Sequence, residues 1–302
     1  MNVFKTITIG IPAHNEEKNI AKLLDSILSQ KTGIYRIDTI IVLCDGCTDD
    51  TAHIVQKYAK KYRTVTLLHD SKRLGKPQRL NQLFKTNVSD IIMIFDGDTL
   101  LSNAHVVQEI ADNFTNPNIG LVGANDTPYR LGNFVQKIAS VWIDVWYQAR
   151  SNYNNGDTVN NNKGCAFAVS GSLSKQLNIP ASIVVGEEDY IYFMAKKLGY
   201  GFSYAKNALV YYYLPARFRD FMMQTTRFLS TKDKIAESLG GWVYDEYTIP
   251  DIIKIKALCT VFLQEPFYLP LAIGFQCLQR VMKHQYADTY KKGHWTTVKS
   301  SK

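Results

Sequence analysis

The first hundred residues alternate between two hydrophobic periods, and this alternation restricts the fold more than any other feature. Thr6–Ile11 alternates with period two, as a strand does. Ile20, Leu23, Leu24, Ile27 and Leu28 then mark one helical face, with Asn15 a candidate cap and Glu16-Glu17 in the expected first turn. "DTIIVL" reads as a second strand, and Thr48 is placed to cap a helix reaching about Tyr62. "TVTLL" is a third strand, residues 76–86 a helix, and the wholly apolar "IIMIF" (91–95) a fourth strand. Such β-α-β-α order predicts an α/β fold with a mostly parallel sheet covered by helices. Ligands of these sheets bind at the carboxyl ends of the strands. The polar clusters fall there: Ala13–Glu16, Asp45, Arg73–Lys76 and Asp96–Asp98.

Beyond residue 100 the pattern loosens. "IGLVGAN" and "CAFAVSG" read as strands, 133–150 as an aromatic helix, and "SNYNNGDTVNNNKG" as an Asn-rich loop. A helix is expected from Glu187 to just before Gly199, a Tyr-rich strand at 209–213, and another helix at 216–230. Residues 257–279 are apolar apart from Gln and Glu265, and prolines 266 and 270 interrupt them. The longest uncharged stretch, Pro266–Gln279, is 14 residues, short of the roughly 20 that span hydrocarbon. Residues 281–302 hold five Lys against one Asp, a net of +4, with aromatics interspersed. That pattern fits an interfacial membrane anchor or a core helix with a solvated tail, with a single re-entrant or spanning helix as a third reading.

The net charge of +8 suits an anionic partner without choosing among nucleotide, nucleic acid and anionic lipid. The amino-terminal residues lack the charge and apolar run of a signal peptide. A cytoplasmic location is therefore expected, and with it reduced thiols. The five cysteines include the pair Cys44-x-x-Cys47. No second such pair or paired-histidine pattern supplies the four ligands a structural zinc needs. The neighbouring acids Asp45, Asp49 and Asp50 are expected to raise the thiol pKa values. Both arguments speak against a metal or redox role.

"DGD" at Asp96–Asp98 is the sharpest chemical signal. Two carboxylates one residue apart after an apolar strand suit Mg2+ or Mn2+, which prefer oxygen ligands and keep water and phosphate in their shell. A dinucleotide fingerprint and a phosphate loop are both absent from the sequence. "RLGKPQRLN" offers cations that can hold phosphates by charge, or else a solvated basic loop.

Together these segments resemble a known family. "TIGIPAHNEEKNIAKLLDSILSQ", "IIVLCDGCTDDT", "RLGKPQRLN", "IIMIFDGDT", "GEEDYIYFMAKKLGY" and "QTTRF" are similar, in order and spacing, to the inverting family 2 glycosyltransferases. The likeness is to the branch that holds cellulose, chitin and hyaluronan synthases, and it covers about residues 5–230. It implies a GT-A fold, with a catalytic domain at 1–235 and a helical, membrane-associating extension at 236–302. The nucleotide-sugar half would be about 1–100 and the acceptor half about 101–235. By this resemblance Pro12, Ala13, Asn15 and Glu16 line the nucleotide pocket, Asp45 accepts a hydrogen bond from the base, and Lys76 lies near the nucleotide. Asp96 would face ribose or metal, and Asp98 the metal, which is Mn2+ or Mg2+. Counting back from Gly199-Tyr200 puts Glu187-Glu188 at the family's acidic pair. Glu188 is then the expected base, with Asp189, one residue later, the alternative. Gln224, Arg227 and Phe228 match the segment that contacts acceptor and diphosphate, with Phe where the family has Trp.

The implied function is transfer of a sugar from a nucleotide-diphosphate sugar, UDP foremost, to a saccharide or lipid-linked acceptor at the inner face of the cell membrane. No nucleic-acid partner is expected. A sugar-phosphate nucleotidyltransferase and a non-catalytic nucleotide-sugar sensor are the alternatives. The first usually carries a Gly-rich, Arg-containing loop where this chain has "IPAHNEE"; the second needs no base.

Overall fold

A computed structural model describes residues 5–129, 132–226 and 231–286, with side chains at all of these except 223–226 and 282–286. In chain order the strands and helices are β1 (Lys5–Ala13), α1 (Ile20–Leu28), β2 (Tyr35–Asp45), α2 (Thr51–Lys61), β3 (Val65–Asp70), α3 (Lys76–Thr86), β4 (Ile91–Phe95) and β5 (Thr99–Leu101). There follow α4 (Val106–Ala111), β6 (Ile119–Pro128), α5 (Phe134–Ser151), β7 (Ala166–Ser170), α6 (Gly171–Ser174), α7 (Glu187–Lys197) and β8 (Gly201–Tyr212). The remainder is helical: α8 (Phe218–Thr226), α9 (Thr231–Leu239), α10 (Val243–Glu246), α11 (Asp251–Gln264) and α12 (Tyr268–Tyr286).

The sheet runs β3-β2-β1-β4-β7-β6-β8-β5. Its first four strands pair in parallel, joined by helical crossovers, as the alternation predicts. Antiparallel pairings join β7 to β4, β6 to β7 and β5 to β8. The parallel half needs buried residues on both faces, and all five residues of β4 are buried. Where the βα alternation fades after residue 100, the parallel pairing ends too. β8 begins at Gly201, eight residues before the Tyr-rich stretch, because its amino-terminal part alternates too weakly to register as a strand.

Close packing sets the position of β1 under its helix. A Cβ on Gly10 would lie 2.8 Å from Leu83 Cδ1 of α3 and 3.0 Å from Ile94 Cδ1, so α3 sits directly on the strand. Helix α1 buries Ile20, Leu23, Leu24 and Ile27 against the same core.

Two local expectations give way to tertiary bonds. Asn15 and Thr48 do not cap helices; they bond each other, Thr48 N–H donating to Asn15 Oδ1 at 2.8 Å and Asn15 Nδ2 to Thr48 Oγ1 at 3.2 Å. Asn15 takes a left-handed φ of 57° to do so. Asp49 instead accepts from Thr51 N–H at the start of α2, at 3.0 Å. The loops after β1 and β2 are thereby stitched together.

The described residues form two compact units: Met1–Thr127 with Asn162–Tyr212, and Pro128–Asn161 with Tyr213 onward. The second has its own core, in which Ile138, Val141, Val145 and Ala149 of α5 pack with Ala257, Val261, Leu269 and Ala272 of α11 and α12.

Candidate active site

The carboxyl ends of β1, β2 and β4, the first turns of α3 and α7, and the loop before β7 meet in the first unit. Lys76, the first residue of α3, has its Nζ 2.7 Å from Asp96 Oδ1 and 3.2 Å from Glu187 Oε1, and donates to Gly164 O at 2.7 Å. Burial works against the charge on Lys76, but the carboxylates of Asp96, Glu187 and Glu188 outweigh it and hold the ammonium protonated. Three segments far apart in sequence are thus gathered by one cation.

Glu187 and Glu188 occupy the first turn of α7, which Gly186 opens at a left-handed φ of 84°. Both are buried, at 5% and 8% exposure, whereas Asp189 is half-buried. Burial first, then the neighbouring carboxylates of Glu187 and Asp189, push the Glu188 carboxyl up to about 8. Asn162, itself fully buried, donates Nδ2 to Glu188 O at 2.6 Å and fixes that turn. A Cβ on Gly164 would stand 3.1 Å from Lys76 Nζ and 3.3 Å from Glu188 Oε2. Gly164 therefore forms the floor against which the Lys76 ammonium and the Glu188 carboxyl rest.

Asp96 directly follows β4, its N–H donating to Cys165 O at 3.0 Å, while Thr99 N–H and Oγ1 bond its carbonyl and shape the turn. The central residue of "DGD" is glycine for want of space, since a Cβ on Gly97 would lie 2.7 Å from Glu16 Cγ. Glu16 and Ala13, both buried, are thereby set against the acidic turn. Asp96 and Asp98 are half-buried. Among the described residues no group of three or more His, Cys, Asp or Glu is clustered as a metal-binding set. The protein offers two carboxylates, a set that suits a cation whose shell is completed by phosphate oxygens and water.

Asp45 is buried and its carboxylate already accepts three donors: Leu74 N–H at 2.7 Å, Gly75 N–H at 2.9 Å and Arg79 Nε at 2.8 Å. A carboxylate has about four acceptor positions, so one further bond is open to it. Arg79, 2% exposed, also reaches Asp70 Oδ2 at 3.1 Å, Lys72 O at 2.7 Å and Gln82 Oε1 at 2.9 Å. This corrects the reading of "RLGKPQRLN" as a set of phosphate-facing cations, because Arg79 turns inward and ties β2, β3 and α3 together.

The cysteine pair departs from expectation in one half. Cys44 is pushed up, first by its hydrogen bond to Cys47 and then by burial. Cys47 goes down to about 7, first through the hydrogen bond from Cys44, which with the Asn15 N–H and Thr51 hydroxyl outweighs burial and Asp49. Hydrogen bonds to the sulfur overcome the nearby acids.

Pro12 lies opposite Leu43 in the β1–β2 register, at the same sheet edge. Gln224 is on the backbone of α8, with its side chain outside the described set; Arg227 and Phe228 lie outside the described residues. Sequence reasoning misassigned Arg79 and missed Asn162, Gly164 and Asp126. Asp126 is buried and close enough to help raise the Cys165 thiol, after burial. The Lys76-x-x-Arg79 spacing was the available signal, since i and i+3 share a helix face but here serve two different networks.

The sequence profile described as glycosyl transferase family 2 matches residues 8–176, more than half of the 302-residue chain. The chain belongs to glycosyl transferase family 2. Among curated members of the wider group, it is 29% identical over 149 residues to a beta-monoglucosyldiacylglycerol synthase of Nostoc sp., covering 47% of this chain and 31% of that protein. It is 32% identical over 110 residues to a 4,4'-diaponeurosporenoate glycosyltransferase of Staphylococcus aureus, covering 36% and 28%. The chain thus spans about a third of the length of these relatives.

Among solved structures, the family 2 chain resembles a mannosyltransferase from Pyrobaculum calidifontis in complex with GDP-Man and Mn2+, with a TM-score of 0.58 at 19% identity over 96% of this chain and 82% of that one. It also resembles S. aureus TarS 1-349, with a TM-score of 0.56 at 14% identity over 97% and 93%. A glucosyl-3-phosphoglycerate synthase from Mycobacterium tuberculosis, solved with Mn2+, UDP and phosphoglyceric acid, gives 0.51 at 20% identity over 76% and 78%. These likenesses identify the GT-A fold, in agreement with the mixed sheet and its flanking helices.

Proposed function

We propose that this chain is a metal-dependent inverting glycosyltransferase, moving a sugar from a nucleotide-diphosphate sugar to a lipid-linked or saccharide acceptor. UDP is the leading donor nucleotide, and the inner face of the cell membrane the working location. The observation that carries the reading is the convergence of Asp96, Glu187 and Glu188 on Lys76 at the carboxyl edge of the sheet. The family membership adds the donor class, and one relative's name states a glucosylated diacylglycerol as its product. In this reading residues 1–100 hold the donor, 101–235 the acceptor, and 236–302 form the membrane-associating extension.

Pro12, Ala13, Asn15 and Glu16 line the nucleotide, and Asp45 offers its remaining acceptor position to the base. Asp96 and Asp98 would hold a divalent Mn2+ or Mg2+ ion, which supplies Lewis-acid neutralisation of the departing diphosphate. Glu188 takes the proton from the acceptor hydroxyl as its oxygen bonds the anomeric carbon and the nucleoside diphosphate leaves from the other side. Glu187 is engaged by the Lys76 ammonium while burial raises Glu188, so two adjacent acids divide their roles by environment. Gln224, Arg227 and Phe228 are assigned to acceptor and diphosphate.

Incubation with Mn2+ and a panel of UDP- and GDP-sugars tests the proposal. Release of nucleoside diphosphate is the expected result. Pyrophosphate release would identify a nucleotidyltransferase, and binding without turnover a sensor. Gly164→Ala probes the floor of the site. Its methyl group would press on Lys76 and Glu188, so turnover should fall by up to about 100-fold through misplacement. Thermal melting should shift little; wild-type turnover in that variant would remove Gly164 from the site.

A further inference from the structure

The second unit carries an apolar surface that its own core leaves uncovered. Helix α11 turns Ala257 and Val261 inward against α5 and shows Phe262 (49% exposed) and Leu263 (83%) to the outside. Beyond Pro266 the same surface continues. Phe267 is 84% exposed, and Leu271, Leu278 and Val281 follow at 47%, 42% and 78%. Phe267 immediately precedes α12, and Leu271, Leu278 and Val281 step by seven and three, spacings that keep them on one face of that helix. Leu269 and Ala272 of that helix are buried on its other side. Single exposed apolar residues are ordinary, but a continuous face of this kind marks an interaction surface.

Its charges narrow the partner. Glu265 is the sole acid between Ile252 and Val281, and it is turned aside into an ion pair with Lys137. At one end of the apolar face Lys254 pairs with the exposed Asp251 at 3.0 Å, which leaves Lys256 there and Arg280 at the other end as exposed cations. The sequence that follows, 287–302, adds Lys291, Lys292, Lys299 and Lys302 against Asp288, with Tyr290 and Trp295 between them. An apolar face bordered by cations and aromatics matches an anionic membrane surface. A second copy of a chain with net charge +8 would bring like charges together around the same face.

The lengths fit lying on a bilayer. Helix α11 has 14 residues, about 21 Å at 1.5 Å per residue, against a hydrocarbon core of about 30 Å. Helix α12 has 19, about 29 Å, and is interrupted by polar and basic residues. No helix among the described residues is long and apolar enough to cross a membrane.

We propose that the outward faces of α11 and α12 lie in the surface of an anionic bilayer, with Phe262, Leu263, Phe267, Leu271, Leu278 and Val281 entering the acyl boundary. This deepens the membrane location proposed above and rests on it only for the choice of a cytoplasmic leaflet. Binding needs no sugar transfer, so it stands or falls separately from the activity.

The test is co-sedimentation of the full chain with phosphatidylcholine vesicles, with and without phosphatidylglycerol at about a third of the lipid. Binding is expected to the anionic vesicles and to weaken as salt rises. Phe267→Glu with Leu271→Glu should weaken it by roughly 100-fold, since each side chain forfeits its burial. A second variant, Leu263→Gln with Val281→Gln, adds no charge and should weaken binding in the same direction. Both alter exposed positions, and unchanged thermal melting would show that they fold. Undiminished vesicle binding by both folded variants would overturn the assignment. So would equal binding to neutral and anionic vesicles, or a concentration-dependent dimer that the same substitutions abolish.

Discussion

Glu188→Gln is expected to lower sugar transfer by roughly 10²–10⁴-fold, the range that loss of a general base produces, while donor binding persists. The carboxyl is buried on the first turn of α7, and the amide is close in shape, so the protein should remain folded. Asp189→Asn, at a half-buried position, should leave turnover near that of the unmodified protein. The pH profile supplies a second readout. With Glu188 pushed up to about 8, the base form is scarce at pH 7 and grows as the proton leaves. kcat/KM of the wild type should therefore rise through neutral pH and level off above about pH 8, and this limb should vanish in Glu188→Gln. The same shift has a stability consequence of opposite sign. A carboxyl whose folded pKa is raised contributes most below its ordinary value of about 4.3, and this is lost as pH rises through 8. Loss of activity in Asp189→Asn with retention in Glu188→Gln would transfer the base role to Asp189.

Arg79→Ala is expected to cost about 3–5 kcal/mol, the range for removing one partner of a buried ion pair. Arg79 bonds Asp45, Asp70, Lys72 O and Gln82 from a position 2% exposed. Its loss leaves the Asp45 carboxylate buried with the Leu74 and Gly75 amides as its hydrogen-bond donors and the Arg73 charge nearby. Urea unfolding followed by a probe of the first unit would measure the effect. A change below about 1 kcal/mol, the range of exposed pairs, would mean that water already serves Asp45. Asp45→Ala should be destabilising for the same reason, with the guanidinium now unpaired, and should also abolish UDP binding at temperatures where the variant is folded. Calorimetric UDP binding at wild-type strength in folded Asp45→Ala would remove Asp45 from the nucleotide site and leave it a structural anchor.

The parallel half of the sheet was legible because its signal is local. Period-two and fully apolar stretches separated by one-sided helical patterns have few other solutions, and β1, β2, β3, β4, α3 and α7 lie where those patterns put them. The four acidic or polar loops could be assigned to one edge for the same reason. Less legible were residues whose role depends on a distant partner. Thr48 and Asn15 have the chemistry of helix caps, but a bond to each other satisfies both across two loops. Arg79 reads as a surface cation three residues past Lys76, and only the closeness of β2 and β3 turns it into a buried cross-link. Cys47 reads as a thiol among acids, yet the donors that lower it come from Asn15, Cys44 and Thr51.

By itself, the sequence determined the class of fold, and it predicted the sheet edge at which the polar loops gather and the carboxylates proposed for the site. These follow from side-chain periodicity and from strand ends, which are properties of neighbouring residues. Tertiary structure decided how the charges are shared. Lys76 takes Asp96 and Glu187 as partners, so Glu188 is the acid left to be raised by burial. It also decided that residues 134–151 join the C-terminal helices in a second core, leaving one face of α11 and α12 without cover. Ion pairing and burial are long-range, set by distances that the chain acquires only when remote segments pack together.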